Sequence, residues 1–90
     1  MDIKKSIKDA IKNDRVILGY DRTIKEIKTK KPKMVVYANN IPKNRLKNII
    51  HNTKLTEIDT EEYPGDNVSL GLICGKPFSV SILVIKGNEK

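Results

Sequence analysis

Hydrophobic residues along the chain follow two patterns, and the two alternate. Near the N-terminus, Ile3, Ile7 and Ile11 recur at the spacing of one face of an α-helix. Met34–Ala38 is instead an unbroken apolar run, which is typical of a strand buried in the centre of a sheet. Extending both patterns predicts four helices and four strands in strict alternation. The predicted strands are Val16–Leu18, Met34–Ala38, Ile58–Tyr63 and Phe78–Ile85, each preceded by a helix.

Residues that favour helix ends divide these segments further. Asp2, Asp21 and either Asp66 or Asn67 can cap helix N-termini with their side-chain oxygens. Pro42 suits the first position of the third helix, because its missing N–H is not needed there. Several apolar residues of the third and fourth helices are expected to face the core. They are Leu46, Ile49, Ile50 and Leu72.

The order αβαβαβαβ predicts an α/β fold. In a short chain this alternation indicates a mostly parallel sheet with helices on both faces. A length of 90 residues is enough for one domain and too small for two. We therefore expect a single domain over residues 1–90, with residues 87–90 frayed.

The distribution of charge bears on the partner rather than on the fold. The formal net charge is +7, and the sequence pI is about 9.6. Residues 1–54 hold 15 Lys and Arg against 5 Asp and Glu, whereas residues 55–90 hold 3 against 6. A uniformly soluble surface needs no such division, but a protein with one anion-facing side could produce it. The charge therefore favours a polyanionic partner such as nucleic acid.

Signals for catalysis, metals and membranes are poor. Cys74 is the only cysteine and His51 the only histidine, so neither a disulfide, a nucleophilic dyad nor a persuasive zinc site is available. We predict no enzyme activity, no cofactor and no metal. The N-terminus has no apolar signal core, and the longest apolar stretch, Phe78–Ile85, is too short to span a bilayer. We therefore expect a cytosolic protein with no membrane partner.

Three loops could carry the binding chemistry. They cover residues 19–23, 39–42 and 64–71, and each joins a predicted strand to a predicted helix. Ligands of α/β sheets bind at that edge, where helix N-termini offer free N–H groups to phosphates. For each candidate, a role in a turn, a cap, the core or the solvated surface remains open. The candidates are Gly19, Tyr20, Asp21, Arg22, Lys25, Asn39, Asn40, Pro42, Asn67, Val68, Leu70, Gly71 and Lys76.

At these loops the sequence resembles a known family. Val16–Lys25, Met34–Pro42, and Val68–Gly71 running into Cys74–Val80 are similar, in order and spacing, to the archaeal and eukaryotic large-subunit ribosomal protein "L thirty e". That family belongs to a wider superfamily of kink-turn RNA binders. The resemblance covers about residues 3–86. It implies a three-layer α/β/α sandwich with a four-stranded mixed sheet.

The resemblance also implies a partner. This is ribosomal RNA that forms a kink-turn, in which an internal loop with sheared G·A pairs bends two RNA helices sharply apart. Neighbouring ribosomal proteins would be further partners, and the protein would be monomeric when it is off the ribosome. Gly19, Asp21, Arg22 and Lys25 would meet the G·A pairs and nearby phosphates, Asn40 would lie on the same RNA face, and Val68, Leu70 and Gly71 would abut flipped-out bases.

Other functions remain open beside the ribosomal one. A guide-RNA ribonucleoprotein subunit of the same superfamily is one, although Arg22 stands where such relatives have Glu. A protein–protein adaptor using the basic face and a small ribosome-associated enzyme are the others. The RNA hypothesis requires the three loops to converge, so Gly19, Asn40 and Leu70 must lie on one side of the molecule.

Overall fold

The computed structural model describes residues 3–30 and 32–87, and the predicted alternation of helices and strands is confirmed there. Segments with an apolar face every three or four residues are helical, and the apolar runs are strands. The elements are α1 Ile3–Lys12, β1 Val16–Leu18, α2 Tyr20–Thr29, β2 Met34–Ala38, α3 Lys43–Thr56, β3 Asp59–Tyr63, α4 Asn67–Ile73 and β4 Ile82–Ile85.

The four strands form one mixed sheet in the order β1-β4-β2-β3. β2 pairs in parallel with β3, whereas β4 is antiparallel to both β1 and β2. The mixed sheet implied by the family resemblance is confirmed, and the expectation of a mostly parallel sheet is wrong. The reason lies in the segment between α4 and β4. The carbonyls of Ser81 and Ile82 accept hydrogen bonds from the N–H groups of Ala38 and Gly19, so β4 begins beside the ends of β2 and β1 and runs back along both strands.

Helices cover both faces of this sheet. On one face α1 and α4 bury Ile7 and Leu70 in a common core, and on the other α2 and α3 bury Ile27 and Ile49. Because successive strand residues point to opposite faces, the central strands β2 and β4 supply side chains to both cores. The three-layer α/β/α sandwich is therefore confirmed.

Two predicted helix starts are wrong by a residue or two. α2 begins at Tyr20 with Gly19 as its N-cap, so Asp21 lies in the first turn and caps nothing. Gly19 has φ 107° and ψ 150°, a conformation open to glycine alone, and this lets the helix begin directly after β1. α3 begins at Lys43, which makes Pro42 its N-cap rather than its first helical residue.

The predicted cap of α4 is confirmed for Asp66. Its carboxylate accepts a hydrogen bond of 2.9 Å from the backbone N–H of Ser69. Asp2, the expected cap of α1, lies outside the described residues, as do residues 88–90 of the tail that was expected to fray.

Some apolar residues expected inside are exposed. Ile50 is 37% exposed, because it is rotated by about 100° from the fully buried Ile49. Leu72 is 70% exposed on the outer side of α4. β1, expected to be buried, is a half-buried edge strand.

The last strand is shorter than predicted. β4 begins at Ile82, and Phe78 lies before it with 57% of its side chain exposed. The intervening backbone makes single hydrogen bonds instead of a strand ladder: the N–H of Val80 donates to the carbonyl of Asn67 at 3.0 Å, and the carbonyl of Ser81 accepts from the N–H of Ala38 at 2.8 Å. The segment before β4 is therefore part of the surface that surrounds the strand ends.

Candidate nucleic-acid interface

The loops that follow β1, β2 and β3 meet at one edge of the sheet. β1 and β2 are both antiparallel to β4, so they run in the same direction, and β3 is parallel to β2. The C-terminal ends of these three strands therefore lie at the same edge. Backbone hydrogen bonds tie the first loop to the start of β4 and the second loop to the third. Gly19 N–H donates to the carbonyl of Ile82 at 3.2 Å, and Asn39 N–H donates to that of Gly65 at 2.9 Å. We call this edge the rim; it comprises residues 19–22, 39–42, 64–67 and 74–81.

Two asparagines join the second loop to the third. The Asn40 Nδ2 group donates to Asn67 Oδ1 at 3.0 Å, and Asn40 Oδ1 accepts from the backbone N–H of Asn67 at 3.0 Å. The pair holds the turn after β2 against the start of α4. Asn40 therefore has a positioning role at the rim, whatever else it binds.

The N-terminus of α4 is already occupied by the protein's own groups. Asn40 accepts from Asn67 N–H, Asp66 accepts from Ser69 N–H, and the carbonyl of Asp66 accepts from Leu70 N–H. The Ser69 hydrogen bond lowers the pKa of the Asp66 carboxyl below its usual value. With a carboxylate bound there, the first turn of α4 is a poor place for a phosphate.

The N-terminus of α2 is open by comparison. Its N-cap Gly19 makes no side-chain capping bond, so the first backbone N–H groups of the helix are not bound by a cap. Thr23 uses its hydroxyl to donate to the Gly19 carbonyl at 2.6 Å, which fixes the turn. Arg22 and Lys25 are both exposed on this helix. The first turn of α2 therefore combines free donors with cations, as anion-binding helix ends do.

Tyr20 connects this turn to α3. Its hydroxyl oxygen accepts a hydrogen bond from Asn48 Nδ2, and the guanidinium of Arg45 lies 5.0 Å from its ring centroid. An Arg at this distance over an aromatic face makes a cation–π contact. Tyr20 thus places the charge of Arg45 beside the α2 N-terminus.

A groove of about 630 Å³ opens at this part of the rim. Its apolar lining comes from β1, from Ile11 of α1 and from the residues around the start of β4, and Asp14 also lines it. Cationic and aromatic side chains also line it, a combination that suits an unstacked base and its phosphates. They are Arg22, Arg45, Lys76, Tyr20 and Phe78.

Two of the predicted contact residues are buried and cannot touch a ligand directly. Leu70 is fully buried in the core beneath α4, although it lies in the helix that follows the third loop. Gly71 is also buried, and a Cβ on it would lie 2.2 Å from the carbonyl oxygen of Phe78. Both residues therefore serve packing, and the suggestion that they abut flipped-out bases is corrected.

The other candidates reach the surface. The groove brings Gly19, Tyr20, Arg22 and Lys76 together. Val68 is 57% exposed in the first turn of α4. The remaining candidates are on or near the rim, Asn67 half-buried and the others exposed. They are Asp21, Lys25, Asn39, Asn40, Pro42 and Asn67.

Two cationic or aromatic residues of the groove were not among the candidates from the sequence. Phe78 belonged to a predicted strand, and no local pattern showed that its ring would be exposed. Arg45 was only one of several cations on the third helix. Its stacking on Tyr20 depends on how α2 and α3 pack, which no local pattern reveals.

Other chemistry finds no support in the part of the chain that is described. Residues 3–30 and 32–87 contain no group of three or more His, Cys, Asp or Glu placed to hold a metal ion. Cys74 is buried, and burial raises the pKa of its thiol, which disfavours the reactive thiolate. Within the same residues no helix is long and apolar enough to cross a membrane.

Comparison with known proteins gives a consistent picture. Residues 1–90 match the profile of the ribosomal protein L7Ae/L30e/S12e/Gadd45 family. Two similar relatives are both named large ribosomal subunit protein eL30. That of Methanothermobacter thermautotrophicus is 44% identical over 86 residues, covering 96% of this chain and 88% of the relative. That of Saccharolobus solfataricus is 40% identical over 86 residues, covering 93% and 80%.

Solved structures share the fold at low sequence identity. The Giardia lamblia 15.5kD RNA binding protein superposes with a TM-score of 0.80 at 13% identity, covering 97% of this chain and 72% of that one. A Bacillus halodurans protein of unknown function superposes with a TM-score of 0.83 at 15% identity, covering 91% and 81%. At these identities the likeness concerns the fold alone.

Proposed function

The chain belongs to the ribosomal protein L7Ae/L30e/S12e/Gadd45 family, and we propose that it is a constituent of the large ribosomal subunit whose rim binds a kink-turn in ribosomal RNA. The family resemblance stated from the sequence is confirmed by this membership. The relatives are named as ribosomal proteins, which also confirms the prediction that the chain is not an enzyme. The ribosome of the cytoplasm is then its place of action.

The groove beside the α2 N-terminus is the observation that supports RNA binding most directly. A sharply bent RNA exposes bases that have lost their stacking partners, and such bases are recognised by aromatic faces. Phe78 and Tyr20 offer aromatic surface there, and Arg22, Arg45 and Lys76 offer charge for the flanking phosphates. One site therefore offers both an aromatic surface for an unstacked base and positive charge for the phosphates beside it.

A preformed rim would act by selecting the bent RNA. Bending crowds phosphates together, so the free RNA populates the bend only in part. The rim loops are held by hydrogen bonds of the protein itself, including the Asn40–Asn67 pair. A rigid site that binds only the bent form shifts the RNA population toward that form. The free N–H groups at the start of α2 would then meet the G·A pairs or the phosphates next to them.

A titration with three RNAs tests the proposal. They are a kink-turn, the same RNA with its G·A pairs changed to Watson–Crick pairs, and a plain duplex. We expect tight binding to the first alone, with a residual affinity for the others that falls steeply with salt. Equal affinity for all three would leave generic polyanion binding and remove the kink-turn.

Lys25 gives the same titration a second readout. It is exposed one turn beyond Arg22 on α2, where it can reach a phosphate. Lys25→Ala should weaken kink-turn binding and reduce the slope of log affinity against log salt by about 1. An unchanged slope would place Lys25 outside the interface.

A further inference from the structure

α1 presents a second positively charged surface. Successive helical residues are rotated by about 100°, so residues at spacings of three, four, seven and eight share a face. Ile7 and Ala10 are buried, and the exposed lysines of the helix project from a separate arc, itself about 100° wide. We call these residues the α1 lysine face; they are Lys4, Lys5, Lys8 and Lys12.

This face lies on the opposite side of the sheet from α2 and α3. Ile7 of α1 belongs to the core that contains Leu70, whereas Ile27 and Ile49 of α2 and α3 belong to the other. At the rim, Ile11 of α1 lines the groove beside Arg22, but none of the exposed lysines of α1 does. The lysines of α1 therefore form a surface that is distinct from the groove, although the C-terminal end of the helix adjoins it.

The charge on the face is dense. Asp9 is the only acidic residue in α1, and it lies at the border of the lysine arc. From Lys5 to Lys12 the face extends about 10 Å along the helix axis. Lysine is a flexible point charge, which suits contacts to a backbone rather than to particular bases.

We propose that the α1 lysine face binds the phosphate backbone of a second RNA segment, separate from the RNA at the rim, so that the protein bridges two segments. The inference rests on the proposed function in so far as it takes RNA to be the polyanion around the protein. The proposed contact depends neither on the RNA sequence nor on the bend of the kink-turn. The rim fixes one RNA element, and α1 then holds a neighbouring one beside it.

The test uses the full chain saturated with a short kink-turn RNA, to which a labelled duplex RNA is added. The variant carries Lys5→Gln, Lys8→Gln and Lys12→Gln together, since Gln is as compatible with a helix as Lys. We expect it to bind the duplex about tenfold more weakly or worse, with the salt slope reduced by about 2 to 3. Its affinity for the kink-turn itself should not change.

A matched control carries Lys28→Gln, Lys33→Gln and Lys54→Gln, all exposed residues outside α1 and the rim. Both variants lose the same charge, so only the position differs. Equal loss of duplex binding in the two would overturn the proposal in favour of net charge. Poly-glutamate is added as a competitor at the same total charge as the duplex. If it displaces the duplex, the α1 lysine face binds acidic proteins rather than RNA. If the unmodified chain bound a kink-turn RNA no better than a control RNA, only the proposed role of the rim would be contradicted. Binding of the duplex to the α1 lysine face is measured separately and would not be affected.

Discussion

At the scale of single residues, Phe78 links the packing of the fold to the candidate site. It lies between the end of α4 and the start of β4, with 57% of its side chain exposed. The backbone of α4 approaches it closely, because Gly71 has no Cβ to collide with the Phe78 carbonyl oxygen. A buried glycine thus sets the course of the segment that brings an aromatic ring to the groove.

Replacing Phe78 with Ala should therefore weaken RNA binding much more than folding. Stacking of one base on an aromatic ring contributes about 1–3 kcal/mol, which corresponds to a loss of kink-turn affinity of roughly 5- to 150-fold. The free energy of unfolding should change little, since most of the ring is already in solvent. Fluorescence anisotropy with labelled RNA and urea unfolding of the free protein measure the two quantities.

Leu55→Ala is the matched control for Phe78→Ala. Leu55 is 71% exposed in the last turn of α3, at the end of the helix that lies away from the rim. The substitution Leu55→Ala removes exposed apolar surface without changing the groove. If the two variants lose affinity equally, or if Phe78→Ala binds normally, stacking at Phe78 is not part of recognition.

At the scale of elements, the rim contains two helix N-termini that differ in chemistry. The first turn of α4 is closed by Asn40 and by the Asp66 cap, whereas the first turn of α2 has no capping side chain. Sequence reasoning treated all such N-termini as alike. In the structure, the N-terminus of α4 is closed by the protein's own side chains, whereas the N-terminus of α2 is open to a ligand.

The cap of α4 should make stability depend on pH in a defined direction. The Ser69 N–H lowers the pKa of Asp66 in the folded protein, so the carboxylate stabilises the fold above the pKa that it has in the unfolded chain. This contribution is lost as the pH falls through the lowered folded value. Asp66→Ala should therefore lower the urea midpoint at neutral pH and lower it much less in acid. Asp66→Ser caps without titrating, so it should keep more stability than Asp66→Ala at both pH values. An equal deficit of Asp66→Ala at both pH values would mean that the charge has no part in the cap.

Element types could be predicted from the sequence because they depend on local periodicity. The unbroken run Met34–Ala38 and the helical spacing around Ile7 needed no knowledge of distant residues. The direction of β4 could not be predicted from such patterns, since it depends on the course of the segment between α4 and β4. The groove was equally hidden, because the Arg45–Tyr20 contact joins residues from two helices. The family resemblance supplied the mixed sheet that periodicity missed.

At the scale of the whole molecule, three acidic residues lie on one strand at the border of the sheet. Asp59, Glu61 and Glu62 are exposed on β3, which is the outer strand next to β2. Charges there discourage further strands from pairing with this edge. They also repel phosphate, so an RNA that approaches the rim is steered toward the side of α2 and the groove.

Hydrogen exchange of the whole chain, with and without the kink-turn RNA, should reveal this orientation. Backbone N–H groups of Tyr20, Asp21 and Arg22 are not bound by a capping side chain, so they should exchange quickly in the free protein and slow down in the complex. Asn67 and Ser69 N–H groups are already bound by Asn40 and Asp66, so RNA should change their exchange much less. The β3 edge should not respond. Strong new protection on β3, with none at the start of α2, would mean that RNA binds on the wrong side of the molecule for the groove to be its site.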